Sequence, residues 1–325
     1  MTVAQAMQAY ISALEISSCG RTNDDGCGKC TMCDARRQRD NLRKHLEGAF
    51  SVSEFLISGS FKRRTAIRPL NDIDLFVVFD SDAERQLQRA APSVVLRRVQ
   101  DVLDDAYPTK DKPKAQSRSV NVEFSGTGLS FDVVPAFKDS SGRGYLIPDR
   151  DAASWIRTDP RKHAEYATQA NTRAGNKAKP IIKALKSWNA QQNKVVRSFH
   201  LELMVYDVLQ SDPGNYAGGI AQALRGLASR VRYPMPEPAR VGPDVDQGMS
   251  QAERDRARAA FSEAADLADK ATAAADRLAT SEAHYHWRQL LGPTYPEPGT
   301  APRKPGTASS HADGNAPDPG SRRFG

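Results

Sequence analysis

Two aspartates, Asp72 and Asp74, stand at alternate positions in the run DIDLFVVFD. Alternate side chains of a β-strand point to the same face, so these acids project side by side. Two carboxylates held together repel each other unless a cation lies between them. The other residues, Ile73, Leu75, Phe76, Val77, Val78 and Phe79, suit a strand buried on both faces. Upstream, Gly59-Ser60 follows the apolar FLIS, where a strand ends and a helix opens its unpaired N–H groups toward a phosphate. A third acid, Asp132, sits in a second apolar run, FDVVPAF. Together these make the donor set of a two-metal phosphoryl-transfer site, with Asp72 and Asp74 shared between two Mg²⁺ ions and Asp132 on one of them. DID alone also fits solvated acids on an edge strand or a calcium loop; the Gly-Ser pair before it and FDVVP after it select phosphoryl transfer.

The elements that must position these residues are legible in outline. Residues 2–16 have helical spacing, with Ala4, Met7, Ile11 and Leu14 on one face, and a second helix is expected from Asp34 as its N-cap. Residues 82–106 read as a helix broken or kinked at Pro92. VNVEF, the turn SGTG and LSFDVVPAF read as a hairpin that sets Asp132 beside the strand of Asp72 and Asp74, with regular pairing expected to end at Pro135. GRGYLIPDRDAASWIRTDP reads as a loop, and Asp159-Pro160 as a cap and first residue opening a helix. Ile181, Ile182, Leu185 and Trp188 form a buried helical stripe that leaves Lys183 and Lys186 on another face. VVRSFHLELMVYDVL reads as a buried helix, with His200 a packed residue rather than a catalyst. After a proline-rich connection, residues 249–291 form a long Ala-rich helical stretch, and the low-complexity residues from Gly299 onward are expected to be disordered.

Between the first two helices all four cysteines of the chain, Cys19, Cys27, Cys30 and Cys33, fall in one short polar insert. Such clustering among Gly, Asn, Asp and Lys suits a metal site better than disulfides or core packing. Two Cys-x-x-Cys spacings sharing Cys30, with Cys19 as fourth ligand, suggest a [4Fe–4S] cluster; Zn²⁺ is the alternative. The expected role is structural.

The chain of 325 residues has 39% hydrophobic residues and a formal charge of +7. That size permits one large or two modest domains, and the charge favours anionic ligands, nucleoside triphosphates or nucleic acid. No apolar run is long enough to span a bilayer and the N-terminal stretch is too polar for a signal core, so a cytoplasmic protein is expected.

The set GS, spacer, DID and FDVVPAF resembles the nucleotidyltransferase superfamily of DNA polymerase β, poly(A) polymerases and 2′-5′ oligoadenylate synthases. Its bacterial branch, the cGAS/DncV-like nucleotidyltransferases (CD-NTases) of SMODS type, is the closest in pattern, because HWRQLLGPTYP near the C-terminus resembles that branch's closing W-x-x-x-F-G-x-x-F-P, with departures at Leu291 and Tyr295. The resemblance implies an α+β fold: a polymerase β-like core with a mixed sheet plus a helical C-terminal lobe, bilobed. The expected divisions are 1–50 for the N-terminal helices with the cysteine insert at 19–33, 51–155 for the catalytic core, 156–298 for the helical lobe and 299–325 for the tail. It implies Gly59, Ser60, Lys183, Lys186 and Ser198 on the triphosphate and Phe199 against the nucleobase, with Asp72, Asp74 and Asp132 catalytic. Relatives usually carry Gly where this spacer has Arg64, and the spacer's Lys62, Arg63, Arg64 and Arg68 read as an exposed basic loop.

The implied activity is Mg²⁺-dependent joining of nucleoside triphosphates, ATP among them, into a cyclic oligonucleotide that signals to a downstream effector in anti-phage (CBASS) defence. An activating protein is a further implied partner; neither membrane nor nucleic acid is required. Two other readings stay open: a linear oligoadenylate-like or RNA-tailing enzyme, and a nucleic-acid-binding regulator with an inactive transferase fold.

Overall fold

Thr2 and Gln5 form a capping box that opens α1 (Val3–Leu14), whose buried Met7, Tyr10, Ile11 and Leu14 follow helical spacing. The protein is described by a computed structural model over residues 1–16, 30–70, 72–107 and 112–297. Helix α2 (Thr31–Ala49) starts earlier than expected: Cys30 is its N-cap, the sulfur accepting the Cys33 N–H, and Asp34 lies in the first turn, where it complements the helix dipole. Strand β1 (Val52–Ile57) leads through the short helix α3 (Gly59–Arg63) into β2 (Asp72–Phe79). The next helical stretch is broken in two, α4 (Arg85–Arg89) and α5 (Pro92–Ala106). Pro92 opens α5, where its missing N–H costs nothing. After the short β3 (Lys114–Ala115), the hairpin of β4 (Val120–Phe124) and β5 (Leu129–Lys138) forms as expected.

Two expectations for the following segment fail. Pairing does not end at Pro135, because β5 continues to Lys138 alongside β2. Pro135 falls between the last β4 partner, at Val133, and the first partner of the next strand, at Phe137, so no ladder bond on that side needs its N–H. The expected loop over 142–160 contains two strands, β6 (Tyr145–Asp149) and β7 (Ser154–Thr158).

Among the described residues the strands form one mixed sheet in the order β1-β2-β5-β4-β3, with β6 pairing β5 and β7. Every pair is antiparallel except β2 with β5. Alternation sorts the two faces of β2. Ile73, Leu75, Val77 and Phe79 share a core with Leu42 and Leu46 of α2 and Val95, Leu96, Val99 and Leu103 of α5. On the opposite face Phe76 and Val78 pack with Val134, Ala136, Tyr145 and Ile147, and Asp72 and Asp74 continue that face beyond the apolar patch.

The remaining described residues build the helical lobe: α6 (Pro160–Arg173), α7 (Ala178–Gln191), α8 (Ser198–Val208), α9 (Tyr216–Arg230), α10 (Gln251–Asp276) and α11 (Thr280–Leu291). Asp159 caps α6 with Pro160 at its first position, as expected. The helical stretch expected over 249–291 is a hairpin of two helices, turned where Leu278 takes a left-handed φ of 62°. Helix α1 belongs to this lobe's core: Met7, Tyr10 and Ile11 pack with Trp188, Phe261, Trp287 and Tyr295. The expected tail from Gly299 lies outside the described residues.

Candidate active site

Parallel pairing of β2 with β5 sets Asp74 opposite Asp132 and Asp72 opposite Ser130. Direct partners in a sheet direct their side chains to one face, so three carboxylates from two strands meet at the mouth of the cleft. Each is held by a different neighbour. Ser130 Oγ donates to Asp72 Oδ1 at 2.9 Å, and Asn121 Nδ2 of β4 donates to Asp132 Oδ1 at 2.9 Å. Asp74 packs against Gly59, where φ is 62° and a Cβ would run into the Asp74 carboxylate. The Ser58 N–H also donates to the Asp74 carbonyl at 2.9 Å, so the Gly-Ser turn is bonded to the strand that carries the acids.

Crowding shows in the electrostatics. Burial, then Asp132 and Asp72, push the Asp74 carboxyl up to about 6, with Arg63 opposing them. Burial likewise raises Asp132, against the lowering effect of the Asn121 hydrogen bond. Among the described residues no three His, Cys, Asp or Glu side chains are posed to enclose a metal ion. The donor set nonetheless fits Mg²⁺: three oxygen ligands on one face, and a buried carboxylate whose excess negative charge a hard dication would relieve.

The acids open onto a cleft of about 990 Å³ between sheet and helical lobe, lined also by Gly59, Ser60, Lys186, Ser198 and Phe199. This is the upper end of the ~300–1,000 Å³ common for small-molecule sites. Lys186 Nζ donates to the Thr65 carbonyl at 3.1 Å and to Glu202 Oε1 at 3.3 Å. Ser198 is exposed at the first position of α8, preceded by Arg197 as N-cap. Phe199 lies beneath the Arg63 guanidinium, 4.5 Å from its carbon, with the His163 ring 5.2 Å away. Lys183 is not brought to the cleft: it turns to Glu15 at 2.9 Å, near the end of α1.

The basic spacer also divides. Lys62, Arg64 and Arg68 are exposed as expected, but Arg63 is 7% exposed and bonded to Glu202. Sequence reasoning missed Arg63, Glu202, Asn121 and Ser130. One signal was available for Glu202, a lone acid inside the apolar helix SFHLELMVY, and one for Asn121, a β-disfavoured amide between Val120 and Val122. A buried pair, His163 Nε2 with Glu237 Oε1, was also missed at the cleft wall. His200 is packed as expected, 1% exposed. Of the cysteines, Cys19 and Cys27 lie outside the described residues; Cys30 and Cys33 are buried with their sulfurs 3.2 Å apart. Among the described residues no helix is long and apolar enough to cross a membrane.

Known proteins share this architecture. The chain is 28% identical over 337 residues to the cyclic AMP-AMP-AMP synthase of an Acinetobacter species, an alignment covering 98% of this chain and 90% of that one. Escherichia coli MS115-1 CdnC, solved with ATP and in complex with HORMA-deltaN, superposes with a TM-score of 0.67 at 22% identity, over 90% of this chain and 98% of CdnC. Vibrio cholerae DncV cyclic AMP-GMP synthase with nonhydrolyzable GTP gives a TM-score of 0.61 at 15% identity, over 75% and 70% of the two chains. Residues 1–171, more than half of the chain, match the Second Messenger Oligonucleotide or Dinucleotide Synthetase domain. The chain therefore belongs to that family, SMODS, the bacterial CD-NTase branch of the DNA polymerase β-like nucleotidyltransferases.

Proposed function

We propose that the chain joins nucleoside triphosphates, ATP among them, into a cyclic oligonucleotide that serves anti-phage signalling. The observation that carries this reading is the register of Asp74 with Asp132 against Gly59, at the mouth of a cleft roomy enough for more than one nucleotide. Asp72 and Asp74 would hold two Mg²⁺ ions and Asp132 one of them. Bound there, Mg²⁺ neutralises triphosphate charge and makes the attacking sugar hydroxyl more acidic. Asp132, oriented by the Asn121 and Ser119 side chains, would help to take the hydroxyl proton. The hydroxyl oxygen then bonds to the donor α-phosphorus in line as the bond to the β-phosphate oxygen breaks, releasing pyrophosphate. Gly59, Ser60, Lys186 and Ser198 bind the triphosphate, and Phe199 orients the base by stacking. A further attack within the same cleft closes the ring. The name of the Acinetobacter relative supports adenine nucleotides, and the CdnC complex supports an activating partner of HORMA type. The product would carry the signal to an effector inside the cytoplasm.

The test is incubation of purified protein with labelled NTPs and Mg²⁺, followed by phosphatase. A phosphatase-resistant product is expected. Phosphatase-sensitive oligomers would establish a linear enzyme instead, and tight RNA or DNA binding without any product an inactive regulator.

For the cysteine insert the supporting geometry favours one metal ion over a cluster. Two thiolates on one tetrahedral Zn²⁺, with Zn–S near 2.3 Å, lie about 3.8 Å apart, whereas thiolates at corners of a [4Fe–4S] cluster bind different irons and stand much farther apart. The 3.2 Å separation of Cys30 and Cys33 is close to the first arrangement, and the Cys33 N–H on the Cys30 sulfur suits a thiolate. Nothing among the described residues supports the expected [4Fe–4S] cluster. Metal analysis decides: colourless protein with one zinc per chain is expected, and brown protein that bleaches with reductant overturns this assignment.

A further inference from the structure

Glu202 of α8 is wholly buried, at 0% exposure, inside a helix whose other inward residues are apolar or aromatic apart from His200. Two cations and a hydroxyl, from α3, the segment after it and α7, converge on it. Arg63 of α3 donates through Nε at 2.9 Å and Nη2 at 3.4 Å, Lys186 of α7 donates at 3.3 Å, and the Thr65 hydroxyl adds a further hydrogen bond. Buried ion triads of this kind are poor stability devices, since desolvation offsets their attraction and apolar replacements of similar volume are commonly as stable. What such a triad does supply is fixed geometry.

Two outputs of that geometry face the cleft. Lys186 spends one donor on Glu202 and one on the Thr65 carbonyl, which leaves one for a ligand. An untethered lysine would have to give up its rotamer freedom on binding; here that loss has already occurred in the fold. Arg63, locked through its planar fork, lies 4.5 Å above the Phe199 ring and fixes its inner face. Arg63 also closes the same five-residue helix that starts with Gly59 and Ser60.

We propose that Glu202 is a positioning residue that sets both halves of the nucleotide seat, the triphosphate cation through Lys186 and the base platform through Arg63 and Phe199. This rests on the nucleotidyltransferase reading of the cleft. One carboxylate from the helical lobe thus couples recognition of phosphate to recognition of base, though it touches neither.

The test uses the full chain and calorimetric binding of two probes, a non-hydrolysable ATP analogue and AMP. Lys186→Met should weaken the ATP analogue about tenfold and leave AMP within a factor of about two, because only the triphosphate contact is lost. Glu202→Gln, nearly isosteric and neutral, should weaken both probes about tenfold, with KM raised correspondingly and kcat within about threefold of wild type, since the three aspartates are untouched. A folded Glu202→Gln protein that binds both probes normally, or loses only the ATP analogue, overturns the proposal. Should Glu202→Gln fail to fold, the apolar triple variant Arg63→Met, Lys186→Met, Glu202→Leu is expected to fold and to lose both probes; wild-type binding by it is equally fatal. Wild-type protein that binds no nucleotide would instead sink the nucleotidyltransferase reading.

Discussion

At Asp74 the molecule holds a carboxylate against its own electrostatics: burial, Asp132 and Asp72 raise its pKa to about 6, and Arg63 only partly opposes them. A folded-state pKa above the ordinary 3.8 means that the ionised form is disfavoured in the fold, so its cost is present at pH 7. Asp74→Asn should therefore lower product formation by roughly 10³-fold or more while, in EDTA at pH 7, raising unfolding stability by about 1–2 kcal/mol after allowance for solvent screening. Denaturant unfolding checks the second half; a less stable variant would contradict the electrostatic account. His200 carries the opposite dependence. Its Nε2 meets no hydrogen-bond partner among the described residues, and burial lowers its pKa to about 4, with Arg254 assisting and Asp246 opposing. Between pH 6.5 and 4 the unfolded chain takes up a proton that the folded chain refuses, so stability should fall by up to about 3 kcal/mol across that window and the loss should level off below it. Urea midpoints at pH 7 and 5 should draw together in His200→Leu if this residue is responsible. Asp72, Asp74 and Asp132 could be read from residue type and a period of two. Glu202 could not be read with the same security, because one acid in an apolar helix discloses burial but not which cations will reach it.

Elements whose turns carry Gly, Pro or a capping residue were legible, and those broken by ordinary residues were not. Pro92 and Asp159-Pro160 announced the starts of α5 and α6. The turn between α10 and α11 rests on Leu278 in a left-handed conformation, with no Gly or Pro to mark it, so the Ala-rich run reads as helical without showing its break. Strands β6 and β7 hid for the converse reason: Gly144, Pro148 and the polar turn between the strands resemble a loop, while their five-residue length leaves little room for alternation. Arg64 shows what the departure from the family's usual glycine costs. It is the C-cap of α3 with φ 61° and ψ 35°, a left-handed conformation that costs an L-residue roughly 1–2 kcal/mol. Glycine adopts it freely but loses more chain entropy on folding, so Arg64→Gly should stabilise the protein by a net ~0.5–1 kcal/mol. Thermal unfolding at constant pH checks this, and destabilisation would mean that the Arg64 side chain makes compensating contacts. Since Arg64 is exposed and does not line the cleft, nucleotide KM in this variant should change less than in Lys186→Met.

For the molecule as a whole, the first residues are tied to the last described helix across the helical lobe, and the consequences reach the active site. The Met1 carbonyl accepts from His284 Nε2 at 3.0 Å, His284 Nδ1 meets the Tyr295 hydroxyl at 3.1 Å, and the rings of Tyr10 and Tyr295 lie 6.1 Å apart. The closing signature near the C-terminus is thus a packing motif: Trp287, Leu291 and Tyr295 are buried against α1 and α7. The two N-terminal helices are neighbours along the chain and both amphipathic, yet they serve different cores. Periodicity reports that a helix has a buried face, not which core receives it. In the fold, α2 packs on the sheet and α1 fills the lobe that carries Lys186, Ser198 and Phe199. Removing residues 1–16 would uncover Trp188, Phe261 and Tyr295 and delete the buried side chains of Ala6, Met7, Tyr10, Ile11 and Leu14. At about 1.5–3 kcal/mol for each large side chain, the loss is comparable to the ~5–15 kcal/mol that holds a typical domain together. The truncated protein should keep much of its helical far-UV signal, lose near-UV signal, bind a hydrophobic dye and form no product. A truncated chain with native near-UV spectrum and full activity would mean that α1 is an accessory to the lobe rather than part of its core.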